Sequence, residues 1–159
     1  MSDDARYADG RERPLDLGAL DTEDLKVISA LVQDAVFPAT EMRWERRRRR
    51  FALLVNRFRW EDRPAAEARA RPYERTRALL IVENVERVSS LGIDRDDPDT
   101  VLSLLALDYD GPPEGPGTLT FVLAGDGAIR LAVEALEVRL RDVTRPYAAP
   151  SGKAPDHGA

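Results

Sequence analysis

A chain of 159 residues can bury a core of its own, and because it has no cysteine it cannot use disulfides, thiolate catalysis or Cys-containing metal sites. Its formal net charge is −5, and its single histidine, His157, lies in a polar C-terminal segment where it could not be held as a catalytic base or metal ligand. No apolar run approaches the ~20 residues of a membrane span, and the N-terminus lacks the order of a signal peptide. We therefore expect a cytoplasmic protein without metal or cofactor. Its 22 Arg against two Lys are typical of a GC-rich bacterial genome.

The composition predicts one domain between two tails. Residues 1–17 and 146–159 are rich in Asp, Arg, Gly, Pro and Ala and contain little that could be buried. Such segments are predicted to be disordered. The globular domain is expected to span residues 18–145.

The first regular element is predicted after Leu20. Asp21 or Thr22 can cap a helix, and Asp24 suits a first helical turn. Apolar residues then follow at helical spacing, at Leu25, Ile28, Leu31, Val32 and Ala35. Helix is the first interpretation, but the run from Val27 to Val32 is also rich in β-formers, so a buried strand within residues 22–36 stays open.

The middle of the chain predicts strands. A strand at Met42–Trp44 leads through Arg46–Arg50 into residues 51–60, which are apolar on both faces and indicate a central strand. A loop is expected at residues 61–72. Alternation then indicates one long strand bulged at Glu83-Asn84, or two short ones, and a further strand after Val101.

The clearest pattern lies between Gly117 and Val143. Two alternating segments flank Gly125-Asp126-Gly127, and this predicts a β-hairpin with Asp-Gly at positive φ. Beyond Val133 the wider spacing of Leu136, Leu140 and Val143 favours a closing helix, although Leu136 and Val138 could continue the alternation past a bulge.

These elements predict a mainly β fold of six or seven strands with one or two helices, of the α+β class. Since neighbours in sequence are expected to pair, the sheet should be antiparallel. We expect a bent sheet or small barrel closed by the C-terminal helix, with a pleckstrin-homology-like architecture preferred. A two-layer α+β sandwich is the alternative.

Basic charge is concentrated in one part of the chain. Between Glu41 and Arg77 there are 13 Arg against 6 acidic residues, including the run Arg46, Arg47, Arg48, Arg49 and Arg50. With nearby aromatic residues, this run could bind nucleic acid or another anion. The acidic total and the turn position favour a solvated turn instead.

A set of polar residues interrupts otherwise apolar elements. It consists of Gln33, Asp34, Asn56, Arg57, Trp60 and Glu61. Polar groups on buried segments need partners, and Arg57 with Asp34 or Glu61 would form a charge-assisted pair. The set predicts either an internal structural network or a ligand-binding cluster, and a carboxylate-dependent enzyme around Asp34, Arg57 and Glu61 is the third functional possibility.

Short sequence signatures along the chain resemble an uncharacterised alphaproteobacterial family, a domain of unknown function, over Leu20 to Val143. They are Ser29-Ala30, Gln33-Asp34-Ala35, Asn56-Arg57-Phe58, Trp60-Glu61, Gly92-Ile93-Asp94, Val101 to Leu105, Gly127, Ile129-Arg130-Leu131 and Val133-Glu134. The resemblance implies no assigned activity or cofactor.

The hypothesis that fits these patterns is a small non-catalytic binding protein. An antiparallel sheet with exposed edges can recruit a protein partner or a second copy of itself. A nucleic-acid-binding or anion-binding module using Arg46–Arg50 is the alternative.

Overall fold

Every strand of the computed structural model, which describes residues 14–94, 97, 99–144, 146–149 and 154–155, joins one antiparallel sheet. The elements in chain order are β1 Asp16–Ala19, α1 Thr22–Leu31, β2 Val36–Pro38, β3 Met42–Glu45, β4 Arg50–Phe58, α2 Arg63–Ala68, β5 Glu74–Val82, β6 Val85–Leu91, β7 Val101–Asp110, β8 Gly117–Leu123, β9 Ala128–Val133, β10 Val138–Asp142 and β11 Tyr147–Ala148. The predicted mainly β, antiparallel α+β class is confirmed. The described strands number eleven rather than six or seven.

The order of strands across the sheet is β1-β10-β5-β4-β2-β7-β8-β9-β6, with β3 also beside β4 and β11 beside β5. Strands β5 and β6 follow each other in the chain, yet β6 lies at the end of this order, next to β9. The two-residue link is Glu83-Asn84, and Asn84 takes the left-handed conformation with φ 60°. The predicted break at Glu83-Asn84 is confirmed as the point where the chain passes between distant parts of the sheet.

The sheet is bent so that its parts share one core. The rings of Phe51 on β4 and Phe121 on β8 meet edge-to-face, with centroids 5.8 Å apart, although β2 and β7 separate their strands in the sheet. Strand β4 pairs with β5 along one edge and with β2 and β3 along the other. The predicted central position of β4 is therefore confirmed.

Helix α1 confirms the helical interpretation of residues 22–31. Asp21 caps it by accepting a 2.8 Å hydrogen bond from the backbone N–H of Asp24, and Leu25 and Ile28 point into the core. The hydroxyl of Ser29 accepts a 2.9 Å hydrogen bond from the backbone N–H of Leu107 on β7. The helix thus satisfies an edge of the sheet as well as burying apolar surface.

The prediction of a closing C-terminal helix is wrong, because residues Val138–Asp142 form strand β10. Val138 and Leu140 are buried while Arg139 and Arg141 are exposed, which is the two-residue period of a strand. Strand β10 pairs with β1 on one side and with β5 on the other. If these residues formed a helix, the facing backbone groups of β1 and β5 would lose these partners. A barrel closed by that helix is excluded with it.

The hairpin of β8 and β9 is confirmed, but its turn lies one residue earlier than predicted. Gly125 and Asp126 carry positive φ values of 78° and 66°, whereas Gly127 does not. The predicted loop at residues 61–72 is also partly wrong, since it contains α2. Pro64 near the start of α2 suits a first helical turn.

Both predicted tails contain short strands at their inner ends. Strand β1 begins at Asp16, and β11 pairs Tyr147-Ala148 with Arg75 and Glu74 of β5. The outer parts of the tails, residues 1–13 and most of 150–159 including His157, lie outside the described residues.

Helix α2 ends in a motif that usually takes glycine, which gives a stability prediction. The N–H of Arg71 bonds to the C=O of Ala66 and that of Ala70 to Glu67, with Ala70 at φ 52°. This is a Schellman arrangement with alanine at the left-handed position. We expect Ala70→Gly to raise the free energy of unfolding by about 0.5–1 kcal/mol, since a left-handed non-glycine residue is strained.

The matched control is Ala65→Gly inside the same helix, which should lower the free energy of unfolding by roughly 0.5–1 kcal/mol. Urea titration of the three proteins compares them. Equal losses for both substitutions would contradict the assigned helix end.

Candidate functional site

The polar residues predicted to cluster are divided between the two faces of β4. Arg57 is completely buried and points to the core side, together with Phe51, Leu53 and Val55. Asn56 points to the other side, where its amide donates to the hydroxyl of Tyr147 and accepts a 2.7 Å hydrogen bond from Arg75 Nε. Because neighbouring residues of a strand face opposite ways, Asn56 and Arg57 cannot serve one site.

Arg57 uses all five of its N–H donors within the protein. Its Nε and Nη2 each donate to Asp142 at 2.9 Å, and its Nη1 and Nη2 donate to Glu61 at 2.9 and 2.8 Å. Nη1 also donates to the Phe58 carbonyl at 3.3 Å. The guanidinium therefore has no donor left for a ligand.

The pKa values follow from this arrangement. Burial alone would lower the pKa of Arg57, but the carboxylates of Glu61 and Asp142 outweigh it and raise the pKa. Burial alone would raise the pKa of Glu61, but hydrogen bonds and charge from Arg57 hold it below its usual value. Arg57 and Glu61 are thus both held in their charged forms.

A second ion-pair group adjoins the first, and sequence reasoning missed it. Arg71 donates to both oxygens of buried Asp62 at 2.6 and 2.5 Å, and Arg59 donates to Glu74 at 2.8 Å. Burial and the neighbouring Asp62 carboxyl raise the pKa of Glu74. Burial opposes ionisation of Asp62, but hydrogen bonds, first that from Arg71, lower its pKa. The dense charge of residues 59–74 was the available signal, although the sequence does not say which pairs form.

The other members of the predicted polar set make contacts through a backbone carbonyl, as Gln33 and Asp34 do, or through an aromatic ring, as Trp60 does. The Gln33 carbonyl accepts a 2.9 Å hydrogen bond from Trp60 Nε1, and the Asp34 carbonyl accepts one from Arg75 at 3.4 Å. Asp34 has a left-handed φ of 65° at the bend between α1 and β2. Trp60 also packs edge-to-face on Phe58 at 4.7 Å. Together these contacts favour a structural role for the predicted polar set.

The basic run forms the turn between β3 and β4, as predicted. Three of its five arginines pair with glutamates: Arg48 with Glu45 at 3.7 Å, Arg49 with Glu134 at 2.6 Å and Arg50 with Glu83 at 2.5 Å. Arg46 and Arg47 make no such contact with the described residues. Only part of the positive charge of the turn is therefore available to a ligand.

A cleft of about 410 Å³ opens beside this turn, between β3 and β6. We call it the β3–β6 cleft; its lining residues are Ala39, Thr40, Met42, Trp44, Arg46, Phe51, Glu86, Arg87, Val88 and Ile129. Phe51 and Ile129 are buried at its base, and Met42, Trp44 and Val88 are partly exposed. Sequence reasoning did not find the cleft because its residues come from four strands and the segment before β3.

Charge around the β3–β6 cleft is predominantly positive. The side chains of Arg46 and Arg87 are both exposed, and neither forms a hydrogen bond or ion pair with another described residue. Glu86 is the acidic lining residue, so the lining carries two positively charged side chains and one negatively charged side chain. The two arginines can therefore meet an anionic group at the rim of an apolar cleft.

A smaller cavity of about 280 Å³ lies on the outer side of β4, lined in part by Leu54, Asn56 and Arg77. Of the predicted polar set, Asn56 lines this cavity, and no member of the set lines the β3–β6 cleft. Among the described residues, no group of three or more His, Cys, Asp or Glu side chains is placed to hold a metal ion. Neither helix in the described part of the chain is long and apolar enough to cross a membrane.

The fold and the cleft define a β-rich α+β protein with an apolar, arginine-rimmed cleft at the edge of a bent antiparallel sheet. The chain belongs to the family described as "Protein of unknown function (DUF2948)", whose model matches residues 15–157. The resemblance to a domain of unknown function is thereby confirmed. Searches of curated proteins and of solved structures found no significant match.

The buried ion pair makes a stability prediction. Arg57→Met should lower the free energy of unfolding by about 3–5 kcal/mol, because it leaves Asp142 buried without its charged partner. The control is Arg139→Met, which breaks the exposed pair with Asp16 and should cost far less. Chemical denaturation monitored by tryptophan fluorescence measures both, and equal losses would contradict the central role of Arg57.

Glu61 makes a prediction about pH. Because its pKa in the folded chain lies below the usual 4.5, ionised Glu61 stabilises the fold above about pH 4.5. This contribution is lost as the pH falls through the lower folded pKa. The stability difference between the natural protein and Glu61→Gln should therefore shrink between about pH 5 and pH 3. A difference independent of pH in denaturant titrations would show that Glu61 is not held ionised by the fold.

Proposed function

We propose that this chain is a small non-catalytic binding protein that receives part of a protein partner in the β3–β6 cleft. The observation that carries the proposal is an apolar cleft of about 410 Å³ whose rim bears Arg46 and Arg87 without partners among the described residues. Binding sites commonly combine an apolar surface with a few polar groups that fix orientation. The side chains of these two exposed arginines form no hydrogen bond or ion pair with the described residues, so they are available to orient a partner.

We propose the β3–β6 cleft as the site in place of the predicted polar set, which consists of Gln33, Asp34, Asn56, Arg57, Trp60 and Glu61. Every donor of Arg57 is already used by Glu61, Asp142 and the Phe58 carbonyl. A carboxylate-dependent enzyme would need a concave pocket holding Asp34, Arg57 and Glu61, and neither described cavity is lined by them. These facts support binding over catalysis.

Nucleic-acid or anion binding is the second candidate. The observation in its favour is that Arg46 and Arg47 project from the turn near the partly exposed Trp44. Against it, Arg48, Arg49 and Arg50 are engaged with glutamates, so the turn offers less charge than its sequence suggests. We rank it below a protein partner.

Other parts of the proposal rest on sequence alone. A cytoplasmic location and an alphaproteobacterial origin belong to it. A pleckstrin-homology-like architecture is a further part of the proposal, and the bent sheet supports it.

The test is a comparison of two neighbouring arginines. The tagged full chain is used to capture proteins from a bacterial lysate over a salt gradient, alongside Arg46→Glu/Arg87→Glu and Arg47→Glu. Arg47 belongs to the same turn as Arg46 but does not line the cleft. We expect a defined protein to be recovered by the natural chain and by Arg47→Glu, and to be lost with the double variant.

Other outcomes point elsewhere. Recovery of nucleic acid, weakened by Arg47→Glu as well as by the double variant, would favour the second candidate, because phosphate binding depends on total charge. Self-association in sedimentation velocity that the double variant abolishes would make a second copy the partner. A protein retained by all three chains would contradict the cleft as the site.

A further inference from the structure

We infer that the occupant of the β3–β6 cleft is an extended, acidic segment of a partner protein that adds as a strand to the free edge of β6 and inserts an apolar side chain into the cleft. This inference rests on the proposed function and specifies its partner. It depends on three features: the edge of β6, the base of the cleft and the charge of its rim.

Strand β6 is the exposed end of the sheet. It is seven residues long, ends the strand order, and pairs only with β9 among the described strands. Strand β3, which lines the other side of the cleft, pairs only with β4 among them. The unpaired N–H and C=O groups of an edge strand are a template for another extended chain.

Elsewhere another element covers a side of a strand, whereas among the described strands only β9 pairs with β6. Beyond the three residues of β7 that pair with β2, the N–H of Leu107 donates to the Ser29 hydroxyl of α1, so a helix covers that side of β7. At β6, the Val85 N–H bonds to the Arg49 carbonyl at 2.8 Å, which fixes the start of the strand to the turn. The bulge of β6 and its charged residues, Glu86 and Arg87, lie at the start of the strand, and Val88 to Leu91 contains no charged residue or proline that would block pairing.

The base of the cleft fits a large apolar side chain. Phe51 and Ile129 close it from below, and Trp44 and Val88 stand on opposite sides. An added strand sends alternate side chains to one face of the sheet. One aromatic or branched aliphatic residue of the added segment would therefore enter the cleft and bury apolar surface of both partners.

The rim selects for acidic residues on either side of that anchor. Arg46 belongs to the turn after β3 and Arg87 to β6, so the cations come from the two sides of the cleft. A carboxylate reaching either guanidinium can form charge-assisted hydrogen bonds. A basic segment would meet repulsion from both.

The experiment uses random ten-residue peptides displayed on phage and selected on the full chain. We expect enriched peptides to carry one large apolar residue flanked by Asp or Glu, with Lys and Arg depleted. Binding should fall at least about tenfold with Arg46→Glu/Arg87→Glu and change little with Arg47→Glu, since a tenfold change needs only the ~1.4 kcal/mol of one charge-assisted contact.

N-methylation then tests strand addition itself. The best peptide is synthesised with a methyl group on one backbone nitrogen at a time, and its dissociation constant is measured by fluorescence anisotropy. In a strand, successive N–H groups point to opposite edges, so methylation should weaken binding by about tenfold or more at every second residue. The residues between them should tolerate it.

The outcomes separate this inference from the function on which it rests. Peptides that bind through Arg46 and Arg87 but tolerate N-methylation throughout would overturn strand addition and leave the binding cleft standing. Enrichment of basic peptides, or of none, would overturn the acidic extended segment, while the lysate comparison decides the cleft independently. Peptides unaffected by the double variant would overturn the assignment of the segment to the cleft.

Discussion

The fold depends on burying one positive charge, that of Arg57, at the end of its apolar core. Taking a guanidinium out of water is costly unless its charge and all its donors are satisfied. Asp142 and Glu61, together with the Phe58 carbonyl, satisfy both requirements, and Asp142 also accepts a 3.0 Å hydrogen bond from the backbone N–H of Leu15. Because these groups lie on or beside β4, β10, β1 and the segment before α2, a single ionic centre fixes the relative positions of elements far apart in the chain.

That centre separates the structural charges of the molecule from those available for binding. At the buried end of β4, charged side chains have oppositely charged partners. These partners raise the pKa of Arg57 and lower the pKa values of Glu61 and Asp62, so the ionised forms are favoured. At the other end of the same strand lies the turn after β3, where Arg46 is exposed and has no partner among the described residues. The number of arginines is therefore a poor guide to function in this chain, whereas the presence or absence of a matching carboxylate is informative.

Local patterns predicted the local elements well. Helix α1, strand β4 and the hairpin of β8 and β9 follow from capping residues and apolar periodicity that lie within a few positions of each other. The C-terminal helix was wrong because Leu136, Leu140 and Val143 fit a helical spacing, while the deciding fact is that both edges of β10 find partners, one of them 127 residues away. Asp142 was missed as the partner of Arg57 for the same reason, since 85 residues separate them. The β3–β6 cleft was equally out of reach, because a gap between two edges exists only after the sheet has bent.

The contact between Leu15 and Asp142 limits how early during synthesis the sheet can form. Strand β1 pairs with β10, and the bonded residues Leu15 and Asp142 are 127 positions apart in the chain. During synthesis β1 must therefore wait until nearly the whole domain has left the ribosome, and the Arg57 centre stays incomplete for the same period. A sheet that includes such distant pairings belongs to the slower-folding class of small domains, on the scale of milliseconds to seconds. The native sheet closes as a late event, after translation of the domain rather than during it.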